Sequence, residues 1–395
     1  MREVDCLIIG AGPTGLTLGI GLLRLGKTVL IVEKHTAGLG FSKAILVSSD
    51  SLQALTDYGV AKKIQLAGIP LDGLSFFVDE QLTSCAQFDT VKPNHPFILP
   101  QEATEKCLKD SYLDLGGDIC LGMLFSSEAN VLDSVGSSQE ALFIHLHQKD
   151  SPVSVTIVKC NYLFGCDGMH SSVRKSLNIA YPGRAVPEQV NFIFDVEVEC
   201  WPFDTLLTMW FASADSGIMM KISSEPLVVR IVGTTEASAQ RLLQKLRVKK
   251  VVWESTYFSN YRLAESYGRG NVWLAGDACH VHSPLGGRGM NTGIADAIAL
   301  THAVQTGDFA SYEATRRPAA QSWVYFNYIL SVVSMSQARI FHVVRFVVSL
   351  IMRLLAWIMG PNFAVVAFQK MTTSVVQRKI ESEQEKVLRR DRRSE

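Results

Sequence analysis

The part of this sequence best suited to chemistry is an acidic residue followed by a glycine-rich segment. Gly276 and Asp277 come first, Pro284 follows, and residues 286 to 291 read Gly-Gly-Arg-Gly-Met-Asn. Glycine lets the backbone approach a bound molecule closely, and a carboxylate accepts hydrogen bonds from sugar or ribityl hydroxyl groups. The pattern therefore predicts a cofactor pocket, although glycines grouped in this way also occur in ordinary turns.

The elements on either side would position these residues. An apolar strand is expected over residues 271 to 275, and a helix is expected to begin within the glycines. The free N–H groups and the positive dipole end of that helix would point at the bound molecule. The predicted cofactor contacts in this segment are Gly276, Asp277, Pro284, Gly287, Gly289, Met290 and Asn291.

A second motif opens the chain. Residues 5 to 9 suit a strand, residues 10 to 15 read Gly-Ala-Gly-Pro-Thr-Gly, residues 16 to 25 suit a helix, and a strand over 28 to 32 leads into an acid. This order is the fingerprint of dinucleotide binding: the first glycine makes the tight turn, the second admits the pyrophosphate, the third permits close packing, and the acid takes the adenosine ribose. The predicted contacts are Gly10, Gly12, Pro13, Thr14, Gly15, Glu33 and Lys34.

A third motif follows a strand predicted over residues 162 to 166. Asp167 and Gly168 come next, and residues 167 to 174 read Asp-Gly-Met-His-Ser-Ser-Val-Arg. An Asp-Gly pair after a strand is usually only a turn. Together with the other two motifs, however, it resembles the D-G-x-x-S-x-V-R signature of the class A FAD-dependent monooxygenases, the aromatic hydroxylases with the p-hydroxybenzoate hydroxylase fold. The resemblance extends from residue 3 to about residue 320.

The resemblance implies an α/β fold in which a Rossmann-type FAD-binding domain carries an inserted β-sheet substrate domain and C-terminal helices. The FAD-binding domain would be discontinuous, over residues 1–70, 97–182 and 260–320, with the sheet over 71–96 and 183–259 and the helices over 321–395. Residues 206 to 222 read as a hairpin of this sheet. In the resembled fold the sheet covers the substrate pocket. Four residues of the hairpin are therefore candidate substrate contacts, although each also suits an ordinary hydrophobic core: Met209, Trp210, Phe211 and Met220.

The chemistry that the resemblance implies belongs largely to the cofactor. NADPH or NADH would reduce FAD, oxygen would add at the flavin C4a position, and the hydroperoxide would hydroxylate a small aromatic or polyketide-like substrate. Pro284 would lie beside the reacting face as the catalytic residue, and Asp167 and Gly168 would help to bind both FAD and the nicotinamide. Gln101 matches a position that contacts FAD at a helix start, although after a proline it also suits an ordinary helix start.

One position departs from the family pattern. Members commonly carry an arginine in the loop after the second strand, where it reaches FAD, and the corresponding loop here contains Lys43. Lysine keeps the positive charge but lacks the planar fork of a guanidinium. Lys43 is therefore expected to contact the cofactor as a substitute for that arginine.

Composition narrows the remaining possibilities. The chain has 38 basic and 38 acidic residues and no net charge, so no basic field draws it to nucleic acid. A first strand near Val4 leaves no room for a cleavable signal peptide, so we expect a cytoplasmic protein whose eight scattered cysteines are reduced. The cysteines show no C-x-x-C spacing and His280 and His282 have no clustered partners, so no metal site is expected.

The C-terminal region leaves a question open. Residues 337 to 359 are strongly apolar, and the three arginines, one histidine and one serine among them fall on one side of a predicted helix. Such a helix could pack on the core or lie peripherally on a membrane surface. The main alternative function is therefore a membrane-associated or non-hydroxylating FAD-binding oxidoreductase. A halogenase is disfavoured because the sequence has no W-x-W-x-I-P segment.

Overall fold

The structure is a computed structural model of the 395-residue chain. It describes residues 1–36, 44–78, 80–88, 90, 95–130, 132, 141–149, 151–211, 216–283 and 287–335, together with residues 347 and 350. The strands are β1 Arg2–Ile9, β2 Val29–Glu33, β3 Leu46–Val47, β4 Ile69–Pro70, β5 Gly73–Val78, β6 Gln81–Gln87, β7 Phe97–Ile98, β8 Asp118–Leu121, β9 Met123–Phe125, β10 Leu142–Gln148, β11 Ser151–Gly165, β12 Gly183–Val198, β13 Leu207–Phe211, β14 Ser216–Ser224, β15 Leu227–Gly233, β16 Val248–Leu263, β17 Gly268–Arg269, β18 Val272–Leu274 and β19 His280–Val281. The helices are α1 Pro13–Arg24, α2 Ser49–Asp57, α3 Ala61–Ala67, α4 Gln101–Asp114, α5 Ser172–Ser176, α6 Glu236–Leu243, α7 Gly289–Thr306 and α8 Phe309–Met335, with a 3-10 turn at Gly276–Ala278.

The first of two compact units comprises Met1–Gly68, Leu99–Arg184 and Asn260–Val324. Its sheet places five parallel strands in the order β8-β2-β1-β11-β18, which is the 3-2-1-4-5 order of a Rossmann-type fold. The central strands are runs of fully buried apolar residues, as a parallel sheet covered on both faces requires. The Rossmann-type architecture that the family resemblance implies is confirmed.

The second unit is formed mainly by Ile69–Ile98 and Ala185–Ser259. Its sheet runs in the order β16-β12-β15-β14-β13-β5-β6, and the predicted hairpin is confirmed because β13 and β14 pair antiparallel. One face packs against α6 and the residues after it in a core that includes Trp210, Met219 and Leu242. The opposite face carries a separate apolar cluster that contains Met209 and Phe76.

An ion pair is buried within this second sheet. Asp195 on β12 lies directly opposite Arg230 on β15. The guanidinium donates from Nε to Oδ1 at 2.7 Å and from Nη2 to Oδ2 at 2.6 Å, and both side chains are almost fully buried. This two-point geometry is the arrangement in which an arginine best compensates a buried carboxylate.

Helix α8 is the last helix that the structure describes as a continuous element. The predicted basic amphipathic helix over residues 337 to 359 lies outside the described residues, apart from residues 347 and 350. Among the helices that are described, none is both long enough and apolar enough to cross a lipid bilayer.

Candidate functional site

The three sequence motifs come together at one edge of the parallel sheet. Ile9 at the end of β1 lies beside Val32 on one side and Gly165 on the other, and Gly165 in turn lies beside Leu274. Each strand is followed directly by the glycines or acidic residues of a motif. In an open α/β sheet, ligands bind outside these carboxyl ends, at the point where the strand order reverses. Here the reversal occurs between β1 and β11, next to all three motifs.

The three glycines of the G-x-G-x-x-G motif at residues 10 to 15 face different surroundings. Gly10 has φ of 109°, and a Cβ there would lie 2.3 Å from the carbonyl oxygen of Cys166. A Cβ on Gly15 would lie 2.0 Å from the carbonyl oxygen of Gly10. A Cβ on Gly12, in contrast, would meet nothing within 4 Å. The outer glycines therefore allow close packing of the protein on itself, whereas the middle one borders open space.

That open space lies at the beginning of α1. Gly12 is the N-cap residue and Pro13 the first helical residue, and no side chain caps the helix. The N–H groups of a first helical turn have no partner within the helix, so an uncapped start is an anion-binding position. The hydroxyl of Thr14 is packed away from this space, since a Cβ on Gly276 or Gly293 would lie 2.6 or 2.3 Å from it.

Glu33 is held in place by the backbone at the end of β2. Its Oε2 accepts a hydrogen bond from the N–H of Ala11 at 2.9 Å, and its Oε1 accepts one from the N–H of His35 at 3.0 Å. Each carboxylate oxygen has a second lone pair, so the group keeps acceptor capacity for ribose hydroxyls. Lys34, the next residue, is exposed.

Gln101 lies at the start of α4, and its hydrogen-bond partner Glu105 is close enough to Glu33 to interact with its charge. Its side-chain amide donates to Glu105 at 2.7 Å, and its backbone N–H donates to the carbonyl of Ala44 at 3.0 Å. Burial raises the pKa of Glu105, and the negative charge of Glu33 raises it further. The start of α4 therefore lies at the same end of the site as Glu33, the acid predicted to bind the ribose.

Asp167 has one buried side-chain oxygen that the described residues leave without a hydrogen-bond partner. Its Oδ2 accepts from the N–H groups of Ser172 at 2.6 Å and Val173 at 3.3 Å, whereas Oδ1 is buried without a hydrogen-bond partner. Burial raises the pKa of this carboxyl against those hydrogen bonds. An unpaired buried oxygen costs free energy, and a polar group of a ligand would remove that cost. Gly168 follows with φ of 82° and open space where a side chain would be.

Arg174, the last residue of the third motif, joins that motif to the Asp277 turn. Its guanidinium donates to the carbonyl of Ala278 at 2.8 Å and to that of Met169 at 3.0 Å. It also lies 3.8 Å from the ring centroid of Tyr181, whose hydroxyl donates to the carbonyl of Asp277 at 2.8 Å. The arginine of this motif is therefore structural, because it fixes the turn that carries Asp277.

The turn after β18 presents its acid outward. Gly276 has φ of 64°, a left-handed conformation that favours glycine, and it begins the 3-10 turn. Asp277 is exposed, while its neighbours Gly276 and Ala278 are buried. The turn is therefore packed against the protein on both sides of Asp277, while Asp277 itself is accessible to a bound molecule.

Helix α7 begins within the glycine-rich segment, as predicted, and it too has no side-chain cap. Gly287 has φ of 60°, Gly289 has open space at its Cβ position, and Met290 is half-buried. The side-chain amide of Asn291 donates to the carbonyls of Leu46 and Gly287, both at 2.9 Å, and accepts from the N–H of Ser48 at 2.9 Å. The Asn291 side chain is thus engaged with the protein, and what this segment offers a ligand is its backbone N–H groups.

A buried charged cluster beneath this turn was not predicted from the sequence. Asp296 on α7 accepts from His280 Nε2 at 2.6 Å through Oδ2 and from Arg316 Nε at 2.7 Å through Oδ1. Oδ2 also accepts from the N–H of Gly276 at 3.1 Å. The available signal was an aspartate on the apolar side of a predicted helix, which needs a partner when buried. No sequence pattern indicates that the partners come from two other elements.

The structure separates the four candidate substrate residues. Met209 and Phe211 point to the same face of the sheet, and Met220 shares it because β14 pairs with β13 in the matching register. Trp210 points to the opposite face, where its ring stacks on Phe77 at 3.9 Å in the core covered by α6. Pro284 and Lys43 lie outside the described residues.

The described residues fit a dinucleotide cofactor. The space beside Gly12, the two uncapped helix starts and the unpaired Asp167 oxygen all lie where the parallel strands end. In the part of the chain that the structure describes, no group of three or more His, Cys, Asp or Glu residues is arranged to hold a metal ion. The uncapped helix starts and the space beside Gly12 suit the phosphate groups of such a cofactor.

Comparison with known proteins agrees with this geometry. Residues 3–326 match the family model described as "FAD binding domain". The chain is 30% identical over 350 residues to a 12-dehydrotetracycline 5-monooxygenase/anhydrotetracycline 6-monooxygenase of Streptomyces rimosus subsp. rimosus, which covers 80% of this chain and 67% of that protein. It is 29% identical to a rifampicin monooxygenase of Streptomyces venezuelae, over 80% of this chain and 68% of that protein. The chain thus spans about two thirds of the length of these relatives.

Solved structures show the same fold. The anhydrotetracycline hydroxylase of Streptomyces rimosus superposes with a TM-score of 0.69 at 25% identity, over 92% of this chain and 75% of that one. The p-nitrophenol 4-monooxygenase of Pseudomonas putida superposes with a TM-score of 0.76 at 17% identity, over 94% of this chain and 98% of that one. The resemblance drawn from the three motifs is confirmed, and the chain belongs to the class A FAD-dependent aromatic monooxygenases.

Proposed function

We propose that this chain binds FAD along the carboxyl ends of its parallel strands and uses it, with NADPH or NADH, to hydroxylate a small aromatic or polyketide-like substrate. The observation that carries the proposal is the convergence of three motifs at the strand-order reversal of the first unit. When bound, the flavin supplies electron transfer from the nicotinamide and activation of oxygen. The protein supplies binding, orientation and electrostatics.

Each part of the site has a role in this proposal. Glu33 accepts hydrogen bonds from the adenosine ribose, and the uncapped start of α1 at Gly12 receives the pyrophosphate. Asp277 accepts from the ribityl chain. The uncapped start of α7 would present backbone N–H groups and its positive dipole end to the flavin ring, which would favour the reduced, negatively charged form. Pro284, between these two segments in sequence, is proposed to lie beside the reacting face.

The substrate class is proposed from the relatives and from the second sheet. The names of the relatives identify tetracycline precursors and rifampicin, which are large polycyclic molecules. One face of the second sheet carries apolar and aromatic side chains that suit a flat aromatic molecule: Met209, Phe211 and Met220. We propose that this face contacts the substrate.

Asp277→Ala is expected to weaken FAD binding by roughly 10- to 100-fold, the size of a lost hydrogen bond to a charged group. The thermal stability of the apoprotein should change little, because interactions of an exposed carboxylate contribute little to stability. The measurement is a titration of apoprotein with FAD, followed by quenching of flavin fluorescence. Asp114→Ala removes another exposed carboxylate of the first unit and should leave the affinity unchanged. Full flavin occupancy in purified Asp277→Ala would contradict the assignment.

Met220→Ala and Phe211→Ala are expected to raise the KM for the substrate several-fold without changing FAD affinity, because they remove contact area from the proposed substrate face. Trp210→Ala provides the contrast. Its ring belongs to the opposite, α6-covered core, so the change should lower the free energy of unfolding by about 3–5 kcal/mol. Met220 is as buried as Trp210, so Met220→Ala should also lower stability and the KM is what separates the two faces. Steady-state kinetics should show a raised KM in Met220→Ala and Phe211→Ala and an unchanged KM in Trp210→Ala. An unchanged KM in both Met220→Ala and Phe211→Ala would place the substrate elsewhere.

The activity itself is tested with the purified protein. Its visible spectrum should show bound flavin, and NADPH or NADH oxidation should accelerate with particular members of a panel of phenols and aromatic antibiotics. Mass spectrometry after reaction under ¹⁸O₂ should find one labelled oxygen atom in the product. A flavin spectrum without substrate-stimulated oxidation across the panel would argue for the non-hydroxylating alternative.

A cytoplasmic location is also proposed. All eight cysteines are free, and burial raises the pKa of several thiols, including Cys6, Cys160 and Cys279. Free thiols are typical of proteins kept in a reducing compartment. Cell fractionation with an antibody to the chain would test this location.

A further inference from the structure

We propose that the buried carboxylate of Asp296 is a positioning group for FAD: it holds the turn that carries Asp277 in register with the start of helix α7. The inference rests on the proposed role of that turn in binding the ribityl chain. Asp296 itself makes no contact with the cofactor in this proposal. It acts through the backbone of Gly276 and through its own helix.

The geometry of the cluster ties three elements to one carboxylate. Oδ2 accepts from the backbone N–H of Gly276 at 3.1 Å and from His280 Nε2 at 2.6 Å, and Oδ1 accepts from Arg316 Nε at 2.7 Å. The side chains of His280 and Asp296 are 1% and 0% exposed and that of Arg316 is 13% exposed. Water therefore cannot replace these hydrogen bonds if one is lost.

The carboxylate is ionised in the folded protein. Burial alone would raise the pKa of Asp296, but the electrostatic interactions with His280 and Arg316 and the hydrogen bonds from both side chains outweigh burial and hold the pKa below its usual value. An ionised carboxylate only accepts hydrogen bonds, so His280 must present its Nε2 proton to Oδ2. Charge-assisted hydrogen bonds of this kind are shorter and about twice as strong as neutral ones, and so they define geometry closely.

The location of the cluster connects it to cofactor binding as well as to stability. Gly276 immediately precedes Asp277, and its N–H is held by the carboxylate while its φ of 64° sets the direction of the turn. Asp296 also lies on α7, whose first residue is Gly289. One side chain thus fixes the separation of the acid proposed for the ribityl chain and the helix start proposed for the ring. A site held in its binding geometry loses less entropy when the ligand binds.

The test begins with Asp296→Asn, whose amide must turn an N–H₂ group toward either Arg316 or the Gly276 N–H. FAD affinity, titrated at a temperature where the apoprotein is folded, is expected to fall roughly tenfold, the effect of about one charge-assisted hydrogen bond. Asp195→Asn is the matched control, since it breaks an equally buried aspartate–arginine pair in the other sheet. It should lower thermal stability by a similar amount and leave FAD affinity unchanged. Equal loss of affinity in both variants would overturn the proposal.

A second variant tests whether FAD affinity depends on the position of the turn or only on leaving no unpaired buried charge. Asp296→Leu with Arg316→Met removes both charges, and replacing a buried ion pair with apolar residues often restores stability. We expect this double variant to melt closer to the wild type than Asp296→Asn does, while its FAD affinity stays at least tenfold weaker. Recovery of wild-type affinity along with stability would overturn the inference. If Asp296→Asn does not fold, the FAD affinity of the double variant still tests the inference.

Coupling to Asp277 distinguishes failure of this inference from failure of the proposed site. If Asp296 acts through the turn, adding Asp296→Asn to Asp277→Ala should weaken FAD binding by less than about threefold more, because the effects of interacting residues do not add. Full additivity would overturn the positioning role and leave the role of Asp277 intact. No effect of Asp277→Ala on its own would overturn both.

Discussion

Gly12→Val is expected to abolish FAD binding while the apoprotein remains folded. The backbone at Gly12 has φ of −74° and ψ of 179°, an extended conformation that valine adopts readily, and a Cβ there meets no protein atom within 4 Å. The only cost to the apoprotein is a poorer N-cap residue, about 1 kcal/mol. The valine side chain would instead occupy the space proposed for the pyrophosphate, beside the uncapped start of α1.

We expect the affinity for FAD to fall by at least roughly 100-fold, because the phosphates lose both their space and their approach to the helix N–H groups. Gly12→Ala, with a single methyl group, should fall between valine and the wild type. The measurement is FAD titration by fluorescence together with the thermal unfolding temperature of each apoprotein. A yellow Gly12→Val protein with wild-type flavin content would show that the cofactor does not use this space.

Gly15→Ala is the control that defines the other role of a motif glycine. A Cβ at this position would lie 2.0 Å from the carbonyl oxygen of Gly10, and backbone cannot move aside as a flexible side chain can. Unfolding should therefore become easier by about 3 kcal/mol or more, whether or not FAD is present. Gly12→Val and Gly15→Ala thus distinguish a glycine that leaves space for a ligand from one that permits close packing of the protein, only three positions further along the chain.

The part of the site that could be predicted from the sequence is the part made by short segments. The geometry of a βαβ unit with G-x-G-x-x-G can be predicted from the sequence, because the strand, turn and helix are adjacent in the chain. The glycines let the helix pack closely against the strand. The predicted strands over residues 5–9 and 271–275 correspond to Arg2–Ile9 and Val272–Leu274. Parallel order then brings their carboxyl ends to one edge. Local sequence patterns and the parallel strand order were therefore sufficient to predict where the three motifs meet.

The sequence also predicts which side chains of a strand share a face, but it does not predict what each face packs against. Side chains alternate along a strand, so Trp210 had to point away from Met209 and Phe211 wherever the strand lay. Which of the two faces packs against α6 depends on the neighbouring strands and could not be read from β13 alone. The position of Met220 required the register of the hairpin, in which it pairs with Leu207.

The buried charges could not be predicted because their partners are distant in sequence. His280, Asp296 and Arg316 come from β19, α7 and α8, and only the packing of these elements brings them together. In a sequence, a buried arginine looks like an exposed one, since most arginines are on the surface. The role of Arg174 was hidden for the same reason, because its carbonyl partner at Ala278 is 104 residues away.

Arg230→Met is expected to cause a large loss of stability in the second unit, comparable with that of Trp210→Ala. It leaves the carboxylate of Asp195 buried in the sheet without its two hydrogen bonds of 2.7 and 2.6 Å. Breaking one partner of a buried ion pair typically costs about 3–5 kcal/mol, because the remaining charge stays desolvated. Chemical denaturation of the apoprotein, followed by tryptophan fluorescence, would measure the change, since Trp201, Trp210 and Trp253 all lie in this unit.

The pair itself, in contrast, should contribute little net stability. Methionine approximates the length of the arginine stem, and leucine has the same branched shape and number of side-chain heavy atoms as aspartate, so the double variant Asp195→Leu with Arg230→Met replaces the pair by apolar contacts between β12 and β15. Its stability should lie within about 1–2 kcal/mol of the wild type, well above that of Arg230→Met alone. The difference between the single and double variants measures the cost of an unpaired charge. If the double variant were as unstable as Arg230→Met, the loss would come from the missing packing of the arginine stem, and the unpaired carboxylate would not be its cause.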